Sequence, residues 1–284
     1  MRSPGTKHSK WRRAAVPLFA LLALLAAGEL LFGRLVPFSP VVVGFSRLEG
    51  PAFVVYHHRQ PEASRLSFLG DVISLEEAYH GLRFTRKPEV FLCRNDAEFR
   101  RLTGGRARFN AINGRLFVSG RAQEDARRGT IDLRTYLTHE LSHVLLQQHM
   151  SVPRALRMPR WLLEGTAMDC AGQVGVGIYP ARTAVYEAVA RGVFCEPDDF
   201  GTSLRGERGT ALSCPVENRA AFIYSEFGCL VGFLRSSRGA ENYRAFLRDV
   251  TEGPHLDVEK SFEKTCGATL REEIARFRAA AQGR

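Results

Sequence analysis

The 284-residue sequence contains no CxxC pair, no internal repeat and no low-complexity tract, and its first thirteen residues include no acid. Without CxxC spacing, none of the six cysteines (Cys93, Cys170, Cys195, Cys214, Cys229, Cys266) is assigned to a metal. Without repeats, solenoid and propeller architectures are excluded. The net charge of +10 invites a nucleic-acid reading, but five of those charges (Arg2, Lys7, Lys10, Arg12, Arg13) sit in the acid-free tail, leaving +5 for the other 271 residues. The densest remaining basic cluster, Arg100, Arg101, Arg106 and Arg108 beside Phe99 and Phe109, carries no RNA- or DNA-binding signature. It reads as a solvated surface, and no nucleic-acid partner is expected.

What is present is the balance of a globular chain able to bury a core, 45% hydrophobic and 25% charged. Residues 1–13 form a basic tail, and Ala14 to Phe38 is almost wholly apolar, the arrangement of a signal anchor or a signal peptide. The uninterrupted part, Ala14 to Gly28, is short for a span of about 20 residues. Ala26 and Gly28 suit a signal-peptidase cut. Leu30, Leu31, Phe32, Leu35 and Val36 extend the run beyond Glu29, however, and Arg34 can snorkel to an interface, which favours an anchor. The positive-inside rule then places residues 1–13 in the cytoplasm and residues 40–284 outside; cleavage would make the chain secreted or periplasmic. An exported domain permits disulfides, and a Cys195–Cys214 staple across the polar loop between them is one candidate; the cysteines read equally well as small buried apolar residues.

Periodicity predicts strands at Phe53–His57 and Glu89–Cys93, a helix over Glu62–Leu82, and a short helix capped by Asn95 with Glu98 three residues on. Arg115–Ser119 reads as a strand introduced by the turn pair Asn113-Gly114, either at a sheet edge or inside it. Helices are predicted at Asp132–Gln148, Arg160–Cys170, Ala181–Arg191, Asn218–Arg235, Glu241–Thr251 and Leu270–Ala281. The expected fold is α+β, with a strand-rich subdomain over 40–130 holding a small mixed sheet, and a mainly helical one over 131–284.

Residues 139–143 read His-Glu-Leu-Ser-His within an apolar-periodic helix. Residues i and i+4 share a helix face, so His139 and His143 can point at one metal ion, and Glu140 is placed to take a proton from a water on that ion. A third ligand decides. His149 has the HExxHxxGxxH spacing, but Leu146 stands where that pattern needs a glycine to break the helix. A continuing helix would turn His149 about 240° and carry it about 9 Å from His143. It is therefore read as an exposed residue near a helix C-terminus, where positive charge is favoured. Glu164, on a second helix beyond a loop with Pro153 and Pro159, can complete a His-His-Glu set and leave a position open for water.

HELSH followed after twenty residues by Trp161-Leu162-Leu163-Glu164-Gly165 resembles the gluzincin zinc metallopeptidases, in particular the bacterial peptidase MA-like families related to the aminopeptidase M1 catalytic domain. The resemblance spans roughly residues 50–284 and implies a zincin-like fold, a Zn2+ cofactor held by His139, His143 and Glu164, Glu140 as general base, and a peptide or protein substrate. It also implies a tyrosine that stabilises the oxyanion; Tyr224 is the counterpart, although it borders an apolar stripe and reads as core too. Relatives carry an acid four residues after the ligand glutamate; here that position is Met168, with Asp169 next to it as the possible substitute. No GxMEN-like stretch marks an aminopeptidase. The expected function is a membrane-anchored zinc peptidase, the alternative a tethered zinc-binding module without turnover that holds a peptide or partner.

Overall fold

The computed structural model describes residues 7–61, 66–207 and 216–283 and is mixed α+β. The sheet comprises β1 (Ser46–Glu49), β2 (Val54–His57), β3 (Glu89–Leu92), β4 (Phe109–Ile112) and β5 (Arg115–Val118), in the order β1-β2-β3-β5-β4. Its centre, β2-β3-β5, is parallel, and both outer strands run antiparallel to their neighbours. Asn113 (φ 52°) and Gly114 (φ 70°) are both left-handed, as a type I′ turn requires, and close the β4–β5 hairpin. β5 is therefore interior: all four of its residues are buried. The edges are β1 and β4, and the sequence reading placed no strand at either.

Two helices, α2 (Leu69–His80) and α5 (Leu133–Gln148), pack together on one face of the sheet. Leu69 and Val72 of the first and Leu137, Leu141 and Val144 of the second join Val55, Val90 and Leu116 in one core. Of the predicted helix over 62–82, residues 62–65 lie outside those described and the helical turns begin only at Leu69. Asp132 caps α5, accepting from the amides of Arg134 and Thr135 at 3.1 and 3.3 Å. Because α5 belongs to the sheet core, the boundary at 130/131 does not coincide with a packing boundary.

The second core is helical, built from α7 (Arg160–Cys170), α8 (Arg182–Ala190), α9 (Arg219–Arg238), α10 (Ala240–Glu252), α11 (Val258–Cys266) and α12 (Leu270–Gln282). α7 lies unusually close to α9. A Cβ added at Gly165 would stand 2.6 Å from the Phe227 carbonyl oxygen and 2.8 Å from a Val231 methyl carbon, so only glycine permits this approach. Four cysteines, Cys93, Cys170, Cys229 and Cys266, are buried and unbridged among the described residues. Cys214 lies outside them, so the Cys195–Cys214 staple is not described.

Glu226 of α9 is buried and accepts from the Cys195 amide at 3.1 and 3.3 Å. Burial raises its carboxyl from 4.5 to about 8, against the lowering effect of those bonds. The folded chain thus keeps a proton that the unfolded chain loses above pH 4.5, and the stabilisation is lost as pH rises from about 4.5 to about 8. Glu226→Gln keeps an acceptor for Cys195 without that dependence. It is expected to gain about 1–3 kcal/mol over the parent at pH 8 and little at pH 5. Thermal melts at both pH values check this; an equal difference at the two would refute it.

Helix α1 (Lys7–Phe32) precedes the sheet, so residues 7–13 are its first turns rather than a separate tail. Its window Ala15–Phe32 has mean hydropathy 2.2, and none of its residues is buried. It is long and apolar enough to cross a membrane or to act as a signal sequence.

Candidate metal centre

α5 presents His139 and His143 one turn apart on the side facing α7, and α7 brings Glu164 against them. The two Nε2 atoms are 3.2 Å apart, and Glu164 Oε2 lies 3.3 Å from His139 Nε2 and 3.4 Å from His143 Nε2. The rings stand nearly perpendicular, at 82°. A tetrahedral ion with bonds of 2.0–2.1 Å separates its ligand atoms by about 3.3 Å, so these three atoms already form one face of such a tetrahedron. Trp161, Leu162 and Thr166, buried in the helical core, fix α7 in place.

Charge agrees with this geometry. Burial would raise the Glu164 carboxyl, but His143 and His139 hold it far below the ordinary carboxylate range. Burial opposes protonation of His143, yet the charge and hydrogen bond of Glu164, with Glu140 behind it, push it up to about 9. The trio therefore favours a positive charge among its ligand atoms, the role of a proton or a metal cation. Glu140, half-buried beside it, is raised above its ordinary value by burial, with His143 and His139 acting against the shift.

These residues line a cleft of about 660 Å³. Phe109, Asn110 and Ala111 of the edge strand β4 form one wall, and the Ala111 amide donates toward the Glu140 carboxylate. Tyr224 of α9 also lines the cleft; its hydroxyl is raised first by the negative charge of Glu164 and then by burial. Sequence reading missed Tyr179, 6.4 Å from the Tyr224 ring, and Gln173, whose buried amide oxygen lines the cleft without a partner among the described residues. Neither lies in a recognisable motif, and only the tertiary fold brings them here.

The other site expectations fare unequally. His149 is not exposed: its Nδ1 lies 2.6 Å from Glu252 Oε1 and its Nε2 2.7 Å from the Arg83 carbonyl, which ties the end of α5 to α10 and keeps it from the trio. Asp169 does not replace the missing acid. It accepts from the Tyr79 hydroxyl at 2.7 Å and Arg235 Nε at 3.1 Å. Met168 is fully buried, and His139 Nδ1 is left buried with no hydrogen-bond partner among the described residues. Packing rather than an acceptor fixes that imidazole.

Glu76, His80 and Cys170 form a second group whose ligand atoms lie within 4.8 Å of one another and could hold a metal ion. Both His80 nitrogens are already engaged, however, with the Glu76 carbonyl at 2.9 Å and Ser142 Oγ at 2.8 Å. Burial lowers His80 to about 4 and raises Glu76 well above its ordinary range. The 3.2 Å Glu76–His80 approach is thus a contact of neutral groups, not an ion pair. Through Ser142, which lies between the two histidines of the motif, this cluster braces α5 from behind.

No protein-family model and no curated protein matches this chain. Its function must be read from the trio and the cleft.

Proposed function

We propose that the chain is a zinc-dependent peptidase of the gluzincin kind, anchored to a membrane by α1, with its catalytic unit on the extracytoplasmic side. The observation that carries this reading is the convergence of His139, His143 and Glu164 to tetrahedral ligand spacing with Glu140 alongside. Two imidazoles and a carboxylate suit zinc, and three protein ligands leave the open position that catalysis requires.

A zinc ion bound there supplies the Lewis acidity that acidifies water and polarises a carbonyl. Glu140 takes the proton of the attacking water and passes it to the departing amine nitrogen as the C–N bond breaks. Burial of Glu140 suits this exchange, since a carboxylate whose pKa burial raises holds a proton more readily than an ordinary one. The outer edge of β4 lies along the cleft, where an extended peptide can pair in place of the contacts that Ala111 makes with Glu140 and the Gln147 side chain. Tyr224 donates a hydrogen bond to the oxyanion of the tetrahedral adduct. Tyr224→Phe is expected to lower kcat by about 10²-fold with KM little changed; an unchanged kcat would return Tyr224 to the core.

The test is cleavage of a mixed peptide library by the full chain in detergent, with and without a chelator, followed by zinc. Cleavage lost on chelation and restored by zinc supports the proposal. Stoichiometric zinc without cleavage under any condition would favour the non-catalytic binding module.

A further inference from the structure

α1 enters the folded unit with almost no linker. Only Gly33, Arg34 and Leu35 separate it from a 3-10 turn, Val36–Phe38, that is built into the protein. Val36 is buried with Phe91, Phe99 and Phe117. Its carbonyl accepts from Arg115 Nη1 at 2.8 Å, and that of Pro37 from Asn113 Nδ2 at 3.0 Å. Arg101, on helix α3 (Asp96–Thr103), donates to the carbonyl of Phe32, the last residue of α1.

These ties fix how far the catalytic unit can stand from a bilayer. The 18-residue apolar window ending at Phe32 is about 27 Å long, close to a hydrocarbon core of about 30 Å, so Phe32 reaches its boundary. Six further residues keep Phe38 within roughly 20 Å of that point even if fully extended.

Phe38 is 47% exposed and lines an apolar cavity of about 220 Å³ that also reaches His143 and Leu163 of the metal cleft. Val152 and Leu156 of the short helix α6 (Val152–Arg157) line the same cavity, and the Leu204 amide donates to the Leu156 carbonyl at 3.2 Å. Val152 is 50% and Leu204 60% exposed. Arg34, Arg157 and Arg205 are exposed along the same segments, and none pairs with a carboxylate among the described residues. An apolar rim studded with unpaired guanidinium groups, held beside a membrane helix, has the chemistry of a lipid-headgroup contact.

We propose that this rim is a second membrane contact. Leu35, Phe38, Val152, Leu156 and Leu204 rest at the headgroup–acyl boundary of the leaflet from which α1 emerges, with the three arginines against anionic headgroups. The proposal rests on α1 spanning the membrane. It places the cleft at the bilayer surface, facing polypeptide that lies close to the lipid.

The test uses spin labels on Leu24→Cys, Leu156→Cys, Leu204→Cys and, on α12, Ala275→Cys, in the full chain in vesicles of phosphatidylcholine and phosphatidylglycerol. The four described unbridged cysteines are buried, and the parent chain controls for background labelling. Positions 156 and 204 are expected to collide more with lipid-soluble oxygen than with a water-soluble nickel chelate, as position 24 does, and position 275 to show the reverse. Position 24 in lipid with 156 and 204 reading as water would overturn the second contact alone. Shielding of 156 and 204 from both reagents reports a protein partner, such as a second copy, and overturns it too. Position 24 reading as water removes the membrane span, and both proposals about the membrane fall together.

Discussion

Glu140→Gln is expected to reduce peptide hydrolysis on the order of 10³-fold while leaving bound metal and thermal stability close to those of the parent. Glutamine has nearly the same shape, so the cleft keeps its packing and the Ala111 amide keeps an oxygen to bond. What it loses is the ability to take a proton. The side chain touches none of the Nε2 and Oε2 atoms that form the trio, so metal content should stay stoichiometric. The change should fall on kcat with KM little altered, since proton transfer belongs to the transition state and not to ground-state binding. If the variant kept half of the parent's rate, Glu140 would not be the base and the proposed reaction would be wrong. If it lost its metal as well, the carboxylate would be acting as a ligand, and the trio would be misassigned.

The metal-site helices were legible in the sequence because their signals are local. Asp132 lies before the first turn of α5, the His139/His143 spacing fixes one face, and α7 runs over Arg160–Cys170 as the apolar pattern predicts. Mixed α+β architecture was legible too, from strand periods in the first half and helical periods in the second. What was hidden depends on distant partners. The interior place of β5 is set by β3, more than twenty residues earlier, and β4 is a four-residue run, Phe109-Asn110-Ala111-Ile112, too short and too irregular in polarity to read as a strand. α6 was read as a loop on account of Pro153, yet proline in a first turn costs no hydrogen bond. His149 was read as exposed because its partners, Arg83 and Glu252, are remote in the chain. Asp169 sits beside Met168, the position at which the gluzincin resemblance implies an acid, but Tyr79 and Arg235 draw it elsewhere, and no local pattern records that.

His143→Ala is expected to abolish stoichiometric zinc binding, weakening the affinity by well over 10²-fold, since even losing a residue that only supports a ligand costs 10–100-fold. The parent's melting temperature should rise with added zinc in proportion to RT ln(1 + [Zn]/Kd), and the variant's should not. The loss of packing is small, because His143 is only half-buried at the cleft. pH supplies a second readout. The surrounding carboxylates push His143 up to about 9, so below that value a proton competes with the metal for this nitrogen, and affinity should fall as pH is lowered. The second group complicates the outcome in a useful way. Were zinc to remain bound in His143→Ala and leave only when Cys170→Ser is added, the ion would belong to Glu76, His80 and Cys170. A metal held there by three buried groups, outside the cleft that takes the peptide, could serve structure but not hydrolysis, and the peptidase reading would fail with it.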